Sequence, residues 1–341
     1  MTLVDRLDAA STVLAETNPA THQPYFPWWL WLVTIAGVLG LMAVDLFVVD
    51  HNPHEVKTSE AARWVIFYVA LAVVFGLGIW FFVDGTHSKE FFAGYITEYS
   101  LSVDNLFVFV LIMTTFAVPK IHQHKVLLIG ILIALVLRTG FIIAGAAIIA
   151  AFQWIFFIFG AFLIYTAWKL AFQKDDDEEF KENRLITWTR KALPVTDDYH
   201  GAKSFVRLQG KRFVTPMFIV MIAIGTTDLL FALDSIPAIF GLTDEPYIVF
   251  TANAFALMGL RQLYFLIGGL LDRLVYLSIG LAVILGFIGV KLILEAMSSV
   301  GIGWVPHIGI EVSLVVIVVV LVVTTWLSLR KSAKDARAGE P

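Results

Sequence analysis

Apolar residues run along this chain in long blocks separated by short polar breaks. Nine blocks stand out, at about 28–50, 62–83, 91–116, 124–150, 152–173, 214–241, 247–270, 274–297 and 308–329. Each is roughly 20 to 28 residues long, the length of helix that spans about 30 Å of hydrocarbon. The pattern predicts an all-α polytopic membrane protein of about nine transmembrane helices. Trp28, Trp29 and Trp31 open the first block as an interfacial belt. Residues 1–27 carry no basic stretch ahead of an apolar core, so they read as a polar lead-in and not as a signal peptide. The longest polar stretch, 174–213, begins "KDDDEEFKENR" and reads as a solvated linker.

Composition sharpens this picture. Of 341 residues, 59% are hydrophobic and only 15% charged, with a mean hydropathy of +0.82. Soluble domains sit nearer about 45–50% apolar and about 25% charged. The chain has no cysteine, which removes disulfides, thiolate metal sites and thiol catalysis. Basic residues are unevenly placed. If 174–213 is cytoplasmic, the loops on its side hold Lys57, Arg63, Lys120, Lys125, Arg273, Arg330, Lys331, Lys334 and Arg337. The opposite side holds Arg6 and Lys89. The positive-inside rule then puts the N-terminus outside and the C-terminus in the cytoplasm of a plasma-membrane protein.

The charges inside the apolar blocks repeat. "ITEYSLSVDNL" (96–106) aligns with "TTDLLFALDSI" (226–236), so that Thr97 meets Thr227, Glu98 meets Asp228, Asp104 meets Asp234 and Asn105 meets Ser235. Downstream, Pro119 and Pro246 each open a new block, "LR" recurs at Arg138 and Arg261, and "KL" recurs at Lys169 and Lys291. Charged residues in lipid spans are costly, so a doubled order of acid, acid, Arg, Lys is not expected by chance. Each copy holds three blocks, and an odd number of crossings inverts the second copy relative to the first. The expected organisation is a polar segment 1–27, two leading helices in 28–90, a first repeat in 91–173, the linker 174–213, a second repeat in 214–297, a last helix in 298–329 and a tail 330–341.

Helical spacing sorts the polar residues into faces. Glu98, Ser102 and Asn105 share one face, as do Asp228, Ala232 and Ser235. Asp104 falls with Thr97, and Asp234 with Thr227, on a second ridge roughly 9 Å further along the axis. If both helices cross at the repeat interface, four carboxylates converge there. Pro237 cannot bond the carbonyl of Leu233, which leaves an oxygen beside Asp234. Four charged side chains at depth cost about 10–14 kcal/mol on insertion scales before pairing. One reading pairs them with Arg138, Arg261, Lys169 and Lys291 for structure alone. The other makes them an all-oxygen cation site, with those four residues as counter-charges. Asp45 in the first block is either a further ligand or a helix-packing residue.

Oxygen donors suit Mg²⁺, Ca²⁺ or Mn²⁺, and ligand type does not separate these three. The histidines read as loop and terminal residues, "HNPHE" (51–55) and "HQH" (122–124) included. Walker, Gly-x-Ser-x-Gly and His-Glu-x-x-His motifs are missing, and neither a permanent cofactor nor a nucleic-acid partner is expected. The chain is therefore expected to be a secondary transporter and not an enzyme. Carboxylates that release a metal ion can take up protons, which makes protons the natural coupling ion.

At these residues the sequence resembles the TerC family, and within it an Alx-like branch. The resembling stretches are "EYSLSVDNLFVF" (98–109), "VLRTGFI" (136–142), "FGAFLIYTAWKLA" (159–171), "TDLLFALDSIPAIFGLT" (227–243) and "ALMGLRQLYFL" (256–266). The resemblance covers about residues 30–330 and implies membership of a lysine-exporter-like group associated with manganese export and tellurium resistance. It implies Mn²⁺ as the exported ion and Glu98, Asp104, Asn105, Asp228, Asp234 and Ser235 as the acidic motif. Relatives often carry one more acid where this chain has Gly225. Two alternatives stay open: a membrane partner that supplies metal to secreted enzymes, and an amine or amino-acid exporter.

Overall fold

The computed structural model describes residues 26–51, 58–152, 154–172, 194–196, 198–201, 203–208, 211–267, 276–302 and 305–338. Among these, nine helices follow one another: α1 (Trp28–His51), α2 (Thr58–Phe82), α3 (Gly85–Thr115), α4 (Lys120–Ala151), α5 (Ile155–Phe172), α6 (Pro216–Phe240), α7 (Pro246–Ile267), α8 (Leu277–Ser299) and α9 (Ile310–Ala338). Eight of them, α2 to α9, are long and apolar enough to cross a membrane. The described apolar stretch of α1, Trp28–Val44, is shorter. The chain is an all-α polytopic membrane protein, as its hydrophobic pattern predicts.

Proline and capping chemistry set the helix starts. Pro119 precedes α4, Pro216 stands in the first turn of α6 and Pro246 opens α7, the positions where a missing N–H costs nothing. At the start of α3, Asp84 Oδ1 accepts from the backbone N–H groups of Thr86 at 2.7 Å and His87 at 2.9 Å. Burial pushes the Asp84 carboxyl up, but the hydrogen bonds from His87 outweigh it and hold the group below its usual range. This cap therefore contributes above that range and is lost only as the pH falls through the lowered value. It also carries α3 six residues beyond the apolar block that starts at 91. At the other end of the chain, α9 continues through the expected tail to Ala338, with the Arg330 guanidinium 3.7 Å from the Trp326 ring centroid.

One element departs from the helical pattern. Part of the linker folds as an antiparallel hairpin, β1 (Phe205–Leu208) and β2 (Lys211–Val214), with Phe205 opposite Val214 and Leu208 opposite Lys211. The Tyr199 hydroxyl donates to the Phe116 carbonyl at 2.7 Å, which ties the linker to the end of α3. The charged run that opens the linker lies outside the described residues, as does the N-terminal lead-in up to residue 25.

The two copies of the repeat interleave instead of packing as separate bundles. α3 packs on α7 and α6 on α4; α3 packs on α6, α4 on α7, and α5 on α8. Exchanging α3 with α6, α4 with α7 and α5 with α8 leaves this set unchanged, as a pseudo-twofold requires. The core lies where these helices meet. α7 is almost wholly buried, whereas α2, α5 and α9 turn apolar side chains such as Ile66, Phe81, Trp168, Val315 and Val322 outward. The outward faces match a lipid surround.

Small residues bring the backbones together. A Cβ added at Gly160 on α5 would lie 2.7 Å from the Gly289 carbonyl oxygen on α8, and one at Gly289 would lie 2.9 Å from the Gly160 carbonyl oxygen. Such mutual contact is how membrane helices gain dispersion energy without a hydrophobic driving force. Replacing Gly160 by Leu should force α5 and α8 apart and cost about 1–3 kcal/mol or more. A thermal unfolding series in detergent, with the exposed Tyr165→Leu as control, reads this directly.

Candidate functional site

The ridge assigned to Glu98 is buried, and so is its counterpart on α6. Glu98 and Ser102 are fully buried on α3, Asn105 is 9% exposed, and Asp228, Ala232 and Ser235 are buried on α6. Arg138 reaches them from α4 with no exposed surface of its own. Its Nε donates to Asp228 Oδ2 at 2.6 Å and its Nη2 to Asp228 Oδ1 at 3.0 Å, a two-pronged grip across the copies. Its Nη1 bonds Glu98 Oε1 within its own copy and reaches the Ser235 hydroxyl at 3.3 Å. Ser102 Oγ donates to the same Glu98 oxygen at 3.4 Å. Among the described residues Glu98 Oε2, which is buried, has no hydrogen-bond partner.

The second ridge behaves differently. Asp104 and Asp234 are each only partly buried. Asp104 Oδ1 accepts from Ser278 Oγ on α8 at 3.1 Å. Asp234 lies within electrostatic reach of Lys169, an exposed residue of α5. The expected meeting of four carboxylates therefore does not occur in this conformation. Among the described residues no three acidic or histidine side chains gather closely enough to hold a metal ion. The physical reason is angular. The two acids of each helix lie about 120° apart, so one faces the partner helix while the other faces α8 or α5.

The counter-charges divide likewise. Arg138 is the ion-pair partner of the inner acids. Arg261, its counterpart, is buried on α7, and its Nε donates at 3.3 Å to the Gln262 amide oxygen once that amide is turned toward it. Lys291 does not face the motif acids: it acts electrostatically on Glu295, Asp244 and Glu90. Those three acids were not picked out in the sequence, where Glu90 precedes its apolar block and Asp244 looks like a loop residue. The spacing of Glu295 four residues after Lys291 was the available signal.

Pro237 stands inside α6, which continues to Phe240, and offers no N–H to the Leu233 carbonyl. The expectations for the histidines and for Gly225 change. His87 and His124 are not loop residues. His87 is buried in the first turn of α3, with Nδ1 2.5 Å from Asp84 Oδ2. His124 is buried on α4 against Phe265. "HQH" is thus the start of a helix and presents its histidines on different sides. Gly225, where the family resemblance implied an acid, is a packing position here. A Cβ there would stand 2.6 Å from Ile133 Cγ2 and 3.3 Å from the Gly130 carbonyl oxygen. An acid does not fit against α4 at that point. The Asp45 side chain, and all of "HNPHE" after His51, lie outside the described residues.

Comparison with known proteins agrees with this architecture. The chain is 47% identical over 324 residues to an uncharacterized membrane protein of Mycobacterium tuberculosis strain H37Rv, covering 91% of this chain and 82% of that one. It is 41% identical over 277 residues to another from Myxococcus xanthus, covering 81% and 86%. A protein of Escherichia coli K12 named as a candidate membrane-bound redox modulator, Alx, is 38% identical over 314 residues, covering 88% and 95%. No solved structure matches the chain. The profile described as the integral membrane protein TerC family matches residues 83–336, which span every helix of both copies, and the chain belongs to that family.

Proposed function

We propose that this protein is a secondary transporter that exports a divalent metal ion, Mn²⁺, from the cytoplasm across the plasma membrane. The observation that carries the reading is the buried Glu98–Arg138–Asp228 cluster at the interface of the two copies. Two carboxylates and one guanidinium leave a negative charge uncompensated, and Glu98 Oε2 has no hydrogen bond to soften it. Ionisable groups at such depth mark ion pathways far more often than structural staples. Pairing for stability alone is a weak reason to keep them, because well-packed apolar residues do as well or better.

In this reading Arg138 stands in for the transported cation. An ion entering between α3 and α6 draws the carboxylates from the guanidinium. Asp104 and Asp234 act as a second set of oxygen donors along its path, apart from Glu98, Asp228, Asn105 and Ser235, with Asp45 as a further candidate. An octahedral all-oxygen shell suits Mn²⁺. Rocking of one copy against the other supplies the alternate opening. Protons replace the metal on the return step. The N-terminus lies outside in this proposal, which the distribution of basic loop residues supports. The redox role in the name of the Escherichia coli relative is compatible: a chain with no cysteine can alter redox balance through metal supply but not through its own thiols.

The test is reconstitution. Purified protein in vesicles holding a Mn²⁺-quenched dye should quench that dye on external Mn²⁺ addition, with an opposing proton movement. Quenching no faster than in protein-free vesicles rejects transport and leaves a metal-supplying membrane partner as the better account. Inhibition by amino acids but not by divalent ions points to an amine exporter.

A further inference from the structure

A second polar site lies apart from the Arg138 cluster. A cavity of about 450 Å³ opens between the start of α3, the loop after α6, the C-terminal half of α8 and the start of α9. Five carboxylates line it: Glu90, Asp244, Glu245, Glu295 and Glu311. Glu245 is 2% exposed, and Glu90 accepts from the Thr243 hydroxyl at 2.6 Å. Glu311 is paired at 2.8 Å with Lys89 at the mouth, which pins α9 to α3. Against these acids the cavity wall sets a single lysine, Lys291.

Lys291 is the telling residue. It is 7% exposed, and it also lines a smaller adjoining recess with Glu295 and Ser298. Among the described residues its ammonium has no hydrogen bond and no ion pair, although it feels the charges of Glu295, Asp244 and Glu90. A largely buried lysine is costly unless something polar meets its ammonium. Among the described residues no carboxylate lies within ion-pairing distance of it, and its side chain lines the cavity. An ammonium held back from an acid-lined space is a tethered cation in a place built for a mobile one. The wall is too negative to hold an anion.

We propose that this cavity is a release-side holding site for hydrated divalent cations, with Lys291 as the built-in counter-ion that a departing cation displaces. The charge distribution assigns this end of the bundle to the outer face. The choice of a divalent cation rests on the transport reading above. Because among the described residues no three acids converge to chelating distance, the ion keeps its water and is held through it. Such a site is weak, exchanges fast, and raises the local ion concentration by its field.

The chain has no cysteine, so a single nitroxide can be placed at Ile308→Cys, on the cavity lining, without touching a charge. Mn²⁺ within range broadens that signal. The loss should saturate with Mn²⁺ concentration. The midpoint should weaken roughly ten-fold in Glu90→Gln/Asp244→Asn/Glu295→Gln and tighten by about three-fold in Lys291→Met, since both changes act through the local field. Glu295→Gln alone should shift it the same way as the triple, and a tightened midpoint cannot come from misfolding. Asp104→Asn/Asp234→Asn should leave it in place even where transport is lost. A linear, non-saturating loss in the parent protein overturns the proposal. So does a midpoint that ignores the cavity acids, one that moves with Asp104 and Asp234 instead, or one that Lys291→Met does not tighten.

Discussion

Replacing Arg138 by Met should lower the stability of the folded protein by about 3–5 kcal/mol, the usual cost of breaking a buried ion pair from one side. Arg138 has no exposed surface and holds both carboxylate oxygens of Asp228 and one oxygen of Glu98. Met fills a similar volume, so the loss is electrostatic and not a cavity effect. Two acids then face each other in a dry interface with Ser102 and Ser235 as the remaining polar company. Neutralising the acids as well, with Glu98→Gln and Asp228→Asn in the same chain, should recover most of the loss. The cycle of single, double and triple variants, followed by thermal unfolding in one detergent, isolates the coupling. If Arg138→Met alone unfolds with the parent, the cluster carries no net charge strain, and the uncompensated charge behind the transport reading disappears with it.

The same cluster shows what sequence reasoning reaches. The doubled order of acids, Arg and Lys announces two related copies, and helical spacing sorts Glu98, Ser102 and Asn105 onto one face. All three are buried together. Spacing fixes which residues share a face of one helix, but not which helix that face meets. That depends on interleaving, set by Gly130, Gly160, Gly225 and Gly289 letting particular backbones approach. Lys291 illustrates the gap. Its repeat position pairs it with the motif acids on paper, yet Ile288 and Leu292 of α8 pack at Gly241, just past the end of α6. That seating puts Lys291 beside the following loop and Asp244. Glu90 was hidden for another reason. It follows a polar first turn that Asp84 caps into α3, and no apolar signal marks that stretch as helix.

Replacing Asp104 and Asp234 together by Asn should all but abolish Mn²⁺ flux while leaving the fold intact. The two acids sit half-buried, outside the grip of Arg138. Asp104 accepts one hydrogen bond from Ser278, and Asp234 feels an exposed lysine. Removing their charge should therefore cost stability on the scale of a surface pair, about 0–1 kcal/mol. Transport is another matter. Each carboxylate that must close on the ion contributes on the order of 1.5–3 kcal/mol as a charged partner, so losing two should slow flux by about a hundred-fold or more. Asn keeps size and one acceptor oxygen, which confines the change to charge. Glu98→Gln/Asp228→Asn is the contrasting pair, since it should disturb stability and flux together by stranding Arg138. Flux in Asp104→Asn/Asp234→Asn equal to that of the parent would mean that the ion passes without these two donors, and the second donor set proposed along its path would have to be abandoned.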